Sequence, residues 1–232
     1  MVDLKNISKY DFGQLFEYQH STYGDVDEYV AACKKAVEYN CRVIFGTALF
    51  AEQELEALAG SNTMLGAGIS FPFGYDATST KVHAAKEYKK QGIQVIDCVT
   101  NIHAVKLHKW DYLKDELKAL REACEGIELK IIMEVCHYTV DEVKQLCELF
   151  VETGIDFAKT ATGRDGPPQM HHMEAIVNTL KGSNVRIKVA GIKDPRPQNA
   201  IAYLKAGADV LGSQKVFDII DSLDLMRRMN LV

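Results

Sequence analysis

Short apolar runs alternate along this chain with longer stretches in which apolar side chains recur every three or four residues. The short runs predict β-strands at 14–18, 42–47, 64–69, 94–100, 129–134, 157–160, 186–190 and 210–212. The periodic stretches predict helices at 26–38, 52–58, 79–90, 109–123, 140–152, 172–180, 197–204 and 216–229. Strands alternating with helices build βαβ units and a parallel sheet, and eight such pairs fit closure into a barrel. The expected fold is α/β, a single (β/α)8 TIM-type barrel. No Pro/Ser-rich linker or compositional break divides residues 1–232, so one domain is expected.

The pattern also has a phase. Gly92, Gly154 and Gly207 each lead through a short apolar run to a residue five positions on: Asp97, Lys159 and Gly212. A glycine just past a helix suits a left-handed cap, after which the chain enters the next strand in a fixed phase. Equal phase predicts that Asp97, Lys159 and Gly212 arrive at similar heights at the carboxyl ends of parallel strands, the edge where such barrels carry their chemistry. Lys159 is the most informative of them. An ammonium pushed into a barrel interior is poorly solvated, so its pKa falls and a neutral amine nucleophile becomes available near neutral pH.

Lys188, within the apolar run 185–190, is a second strand lysine; two ammonium groups in one mouth depress each other's pKa. Asp97 could accept a proton, hold a water or pair with Lys188, and a buried Asp–Lys pair that only closes the barrel is the competing reading. Glu134 ends another apolar run and could hydrogen-bond in the same mouth or pair with a lysine. His103 and His137 follow strand ends, in loops on the same face. His171 and His172 are adjacent at a helix start and do not form a metal pair; with no HExxH, Asp-rich loop or cysteine cluster, no metal and no cofactor is expected. Pro72 and Gly74 mark a turn. Ala190-Gly191 and Gly212-Ser213 resemble the backbone anion cradle that loops after strands seven and eight form in βα barrels.

Composition narrows the picture. A length of 232 residues with 47% hydrophobic content suffices for one large core. Net charge is −5 with both signs interspersed, so no nucleic-acid surface is expected. The six cysteines (33, 41, 98, 124, 136 and 147) form no CxxC pair and read as reduced and mostly buried. The polar N-terminus lacks an apolar signal core, and no run approaches the ~20 residues of a membrane span. A cytoplasmic protein is expected.

On these residues the chain resembles the deoxyribose-phosphate aldolase family. Lys159-Thr160-Ala161-Thr162-Gly163 is similar to that family's K-T-S-T-G segment, Val95-Ile96-Asp97-Cys98-Val99-Thr100-Asn101-Ile102 to its E-V-D-M-V-I-N-I segment, and Arg186-Ile187-Lys188-Val189-Ala190-Gly191 to its V-K-A-A-G-G segment. Phe71-Pro72-Phe73-Gly74 and Glu134 match as well. The resemblance implies a cofactor-independent Schiff-base aldolase that cleaves 2-deoxyribose 5-phosphate, or a related small sugar phosphate, into two aldehydes. It implies that Lys159 forms the imine, that Lys188 lowers its pKa and that Asp97 relays protons with a water. Gly163, Arg164, Gly191, Gly212 and Ser213 are the implied phosphate contacts, and a homo-oligomer is compatible with it.

The departures concern substrate recognition. Ile192 stands where the family has a second glycine, Gln214 replaces a small hydroxyl residue of the eighth loop, and Arg164 stands for a lysine. Phe16-Glu17-Tyr18-Gln19-His20 matches the family's D-H-T segment poorly. Two alternatives therefore remain: a related barrel acting on a different phospho-sugar or keto-acid, and a non-catalytic binding barrel.

Overall fold

Strands buried on both faces need a covering of helices, and the chain supplies one after almost every strand. In the computed structural model, which describes residues 11–232, eight parallel strands close in sequence order into one barrel. They are β1 (Phe16–Gln19), β2 (Val43–Phe45), β3 (Met64–Ile69), β4 (Val95–Val99), β5 (Glu128–Ile132), β6 (Phe157–Lys159), β7 (Arg186–Ala190) and β8 (Val210–Ser213). The helices are α1 (Val26–Glu38), α2 (Ala51–Leu58), α3 (Thr78–Lys90), α4 (Ile102–Lys106), α5 (Trp110–Ala123), α6 (Val140–Thr153), α7 (Met170–Leu180), α8 (Arg196–Lys205) and α9 (Val216–Arg228). The fold is the expected (β/α)8 barrel. The polar N-terminal segment read above lies outside the described residues.

Local sequence explains the helices. In α5, Leu113, Glu116, Leu117, Leu120 and Ala123 form one buried stripe. The helix α6 opens with a capping box: Thr139 Oγ1 accepts the Glu142 N–H at 3.2 Å, and the Glu142 carboxylate accepts the Thr139 N–H at 2.7 Å. It closes on Gly154 in the left-handed region. Between α3 and α5, the buried Lys81 ammonium donates to Glu116 at 2.8 Å and to the Val99 carbonyl at 3.2 Å, tying both helices to the end of β4.

Register brings the functional residues level. The pairing line through Asp97 runs to Lys130 on β5 and Phe157 on β6, two residues before Lys159. The line through Lys159 runs to Lys188 on β7 and Val210 on β8, two residues before Gly212. A two-residue drift over two strands is the stagger of an eight-strand barrel with a shear of 8. Strand tilt cancels it, so Asp97, Lys159 and Gly212 share a height, as their common phase implies.

Most boundaries shift by a residue or two, and three differences from expectation have a local cause. Residues Phe12–Leu15 form a 3-10 turn, its Asp11 cap accepting the Gly13 N–H at 2.9 Å, so β1 starts two residues late. A Cβ on Gly13 would lie 1.9 Å from the Tyr39 carbonyl oxygen, which holds this turn against the loop after α1. The second strand stops at Phe45 because the Glu54 carboxylate takes the Thr47 N–H, at 3.2 Å from its nearer oxygen. The short α4 was not anticipated; Asn101 Oδ1 caps it by accepting the Ala104 N–H at 3.0 Å.

Candidate active site

At the carboxyl end of the barrel lies a cavity of about 530 Å³. Asp97 and Lys159 line it, together with Gly163, Arg164, Gly191, Gly212 and Ser213, all anticipated from sequence. Lys188 is fully buried behind the wall and reaches the site only through its ammonium. Lys159 Nζ donates to Asp97 Oδ2 at 2.7 Å, and Lys188 Nζ donates to the same oxygen at 2.8 Å. The other carboxylate oxygen, Oδ1, is buried and has no hydrogen-bond partner among the described residues, an unfilled acceptor beside the cavity.

Sequence reasoning missed two of the groups that set the electrostatics. Glu17 on β1 is fully buried; Lys188 Nζ lies 2.5 Å from its Oε2, Lys130 Nζ 3.0 Å from its Oε1, and Arg42 Nη1 2.7 Å from the same Oε1. Lys130 also reaches Glu128, as do Arg42 and Arg186. Their trace in the sequence is a charge inside each apolar run, Phe16-Glu17-Tyr18 and Leu129-Lys130-Ile131, at positions that alternation sends inward.

The two site lysines end up with opposite character. Burial outweighs the Asp97 attraction at Lys159, and with repulsion from Lys188 its pKa is lowered to about 8. Burial also opposes the charge on Lys188, but Asp97 and Glu17 outweigh it and hold that ammonium above the ordinary lysine range. Burial of Asp97 is overcome by Lys159 and Lys188, which keep its carboxyl below the usual range, and Glu17 is likewise held below its usual range by Lys130, Lys188 and Arg42. Three buried lysines, Arg42 and, at the edge, Arg186 thus face three carboxylates, Asp97, Glu17 and Glu128. Cations outnumber carboxylates, and Lys159 is the buried member whose pKa is lowered.

The loop after β6 is braced from both sides. Thr160 Oγ1 accepts the Ala190 N–H at 3.1 Å, linking it to β7. Glu134 Oε2 accepts the Thr162 N–H at 2.9 Å. Glu134 itself sits in the left-handed region at φ 60°, ψ 58°, an expensive conformation for a side chain with a Cβ. Gly163 and Gly191 also have positive φ, and a Cβ on Gly191 would meet Ala161 Cβ at 3.5 Å and Gly163 Cα at 3.6 Å, so these two loops pass close together.

Other sequence candidates fall elsewhere. His103 stacks on Tyr75, and His137 Nε2 hydrogen-bonds Asp165 at 2.6 Å; neither lines the cavity. His172 Nδ1 accepts the Gln169 N–H at 3.1 Å, a helix-capping role. Gly74 packs where a Cβ would lie 1.9 Å from the Thr100 carbonyl oxygen, so the turn after β3 requires it. Five of the cysteines are buried, while Cys136 is half-buried. Among the described residues no helix is long and apolar enough to cross a membrane.

Around the rim stand Arg164, Lys193, Arg196 and Lys215, with Gln19, His20 and Gln214. Four cationic side chains at the mouth of a 530 Å³ cavity suit an anionic substrate of small size. Ile192 and Gln214 are part of the lining, so the bulkier residues noted in the sequence do face the site.

A closed parallel barrel with a lysine-floored pocket at its carboxyl end places the protein among the (β/α)8-barrel enzymes. Comparison with known proteins narrows this: residues 6–194 match the model of the DeoC/LacD family aldolases, and the chain belongs to that family, a lyase. It is 31% identical over 218 residues to a deoxyribose-phosphate aldolase of Clostridium novyi, covering 93% of this chain and 96% of the relative. It is 29% identical to one of Histophilus somni, covering 94% and 97%. Among solved structures, an aldolase called QR15 superposes with a TM-score of 0.85 at 25% identity, covering 100% of both chains.

Proposed function

We propose that the protein is a Schiff-base aldolase for 2-deoxyribose 5-phosphate or a close sugar-phosphate relative. The observation that carries the reading is the pairing of Lys159, buried at the cavity floor with its pKa lowered to about 8, with Lys188, whose ammonium is held above the ordinary lysine range, across one carboxylate oxygen.

In the cleavage direction, neutral Lys159 attacks the substrate aldehyde carbon and water leaves, giving a protonated imine. That cation withdraws electrons from the C2–C3 bond, one carbon beyond the imine carbon. A proton leaves the 3-hydroxyl, the bond breaks, its electron pair moves into an enamine, and the phosphorylated aldehyde departs. Protonation of the enamine and hydrolysis of the imine release acetaldehyde and restore Lys159. Asp97 Oδ1 is the free acceptor suited to these proton movements, directly or through water, while Oδ2 keeps the two lysines in register. The substrate phosphate would sit near Gly163, Gly191, Gly212 and Ser213, with Arg164, Lys193 and Lys215 supplying charge where Ile192 and Gln214 crowd the loops.

Those crowded loops support a second reading, the same imine chemistry on a different phospho-sugar or on a keto-acid. Both readings predict that cyanoborohydride and a carbonyl substrate label Lys159, and that Lys159→Ala is inactive. A panel of aldehydes and keto-acids with and without phosphate separates them: efficient cleavage of 2-deoxyribose 5-phosphate supports the first, and absence of any label at Lys159 overturns both.

A further inference from the structure

Two lysines share Asp97 Oδ2, yet only one of them lines the cavity. The difference lies in one aromatic ring. Phe45, the last residue of β2, lines the cavity, and its ring centroid is 4.1 Å from Lys188 Nζ but 5.8 Å from Lys159 Nζ. Three groups thus surround the Lys188 ammonium: Asp97, which accepts its hydrogen bond, the Glu17 carboxylate in ion-pair contact, and the face of this ring.

The surrounding strands are cut to fit this arrangement. On β3, the register partner of Phe45 is Gly66, and a Cβ there would lie 2.7 Å from Phe45 Cε1. On β8, a Cβ on Gly212 would lie 2.9 Å from Lys188 Cε and 3.8 Å from Gln19 Nε2. One glycine seats the ring and the other admits the lysine stem beneath the Gln19 amide. Neither glycine has a φ that demands it, so close packing accounts for both.

We propose that Phe45 is a positioning residue that partitions the site. Its ring walls Lys188 off from the cavity, so that Lys159 alone meets the substrate carbonyl and Lys188 remains a fixed charge. The inference rests on the imine reading above and adds the reason why one amine and not its neighbour is the nucleophile. The charged groups facing Lys188 are Glu17 from β1, Asp97 from β4 and Lys159 from β6; Lys130 from β5 is also 5.7 Å from the Phe45 centroid.

The test reads which lysine is alkylated. Acetaldehyde forms an imine with an exposed neutral amine by loss of water; cyanoborohydride then delivers hydride to the imine carbon, leaving an ethylated lysine that peptide mass spectrometry locates. The proteins are wild type, Phe45→Ala, Phe45→Leu and Phe45→Tyr, each also in a Lys159→Met background, treated at pH 7 and at pH 9.5 after circular dichroism has verified folding. The expected result is label at Lys159 and none at Lys188 in wild type, and an unlabelled Lys188 in Lys159→Met alone. Label should appear at Lys188 when Phe45→Ala or Phe45→Leu is added, more at pH 9.5, and Phe45→Tyr should restore protection. Leu is included because it leaves the smaller cavity and is the better tolerated truncation. Equal protection of Lys188 in every folded variant, or label on Lys188 in wild type to the extent seen on Lys159, overturns the partition. Label on Lys159 with Lys188 always protected sinks this inference alone; no label on Lys159 in wild type sinks the imine reading with it.

Discussion

Replacing Lys188 by Met should suppress the reactivity of Lys159 chiefly by raising its pKa. Both ammonium groups hang on Asp97 Oδ2, at 2.7 and 2.8 Å, so their nitrogens are at most about 5.5 Å apart. At an effective dielectric near 20, two like charges at that separation repel by about 3 kcal/mol, or about two pK units. Removing Lys188 also leaves Asp97 to Lys159 alone, which favours the charged form further. Starting from a pKa of about 8, Lys159 should move to about 10. The neutral fraction at pH 7 then falls from about one tenth to about one thousandth, roughly a hundredfold loss of imine-forming amine. Glu17 keeps Lys130 and Arg42 as partners, so the barrel should still close. The assay is the initial rate of reductive trapping of acetaldehyde on Lys159 between pH 6 and pH 11. Wild type should gain rate through about pH 8 and Lys188→Met through about pH 10, with the two converging at high pH. A variant whose rate is lower by the same factor at every pH, with its limb still near 8, would refute the argument from like-charge repulsion.

Other perturbations test separate parts of the structure. Glu134→Ala removes the acceptor for the Thr162 N–H and should lower kcat/KM about tenfold or more, while Glu134→Gln, which keeps an acceptor, recovers most of it. Arg164→Gln, at the rim, should raise KM for a phosphorylated substrate and leave KM for its dephosphorylated analogue unchanged; equal effects on both would rule out an anion contact. Burial raises the Glu54 pKa to about 7, partly offset by its Thr47 N–H contacts. Because the folded value exceeds the unfolded one, the contribution of this group to stability is complete below about pH 4.5 and is lost as pH rises through 7. Glu54→Gln should therefore lose less stability than wild type between pH 5 and 8, by about 1–2 kcal/mol in urea denaturation. Lys81→Met leaves the buried Glu116 without its cation, though with the Thr78 and Tyr112 hydroxyls, and should destabilise by about 3 kcal/mol without moving the pH profile of imine trapping.

Much of the catalytic edge was legible because period and phase are local properties. The glycine-to-strand spacing placed Asp97, Lys159 and Gly212 level, and the barrel's stagger turned equal phase into equal height. What stayed hidden depends on closure. Closure was expected, but nothing along the chain gives the register in which β1 meets β8, and that register sets Glu17 opposite Gly212 and within reach of Lys188. The weakest segment in the sequence reading, 16–20, thereby supplies the carboxylate that keeps Lys188 charged. Phe45 was hidden for the same reason: in the run Val43-Ile44-Phe45 it reads as one more apolar core residue, and only the closed barrel sets its ring against an ammonium.

Closure also explains why so many charges are tolerated inside. An isolated buried lysine would be driven neutral or would open the barrel, whereas here each cation faces a carboxylate from another strand. Cations still outnumber carboxylates, so a neutral lysine relieves repulsion. Lys188 and Lys130 each touch two carboxylates, but Lys159 shares its single one with Lys188 and borders the cavity, so deprotonation there costs the least pairing. On the imine reading, a nucleophilic amine at neutral pH is then a consequence of how the barrel arranges its interior charges. Charge-altering substitutions as distant as Glu17→Gln should show this by lowering the Lys159 limb in the trapping assay, because they remove a negative charge that favours the Lys159 ammonium.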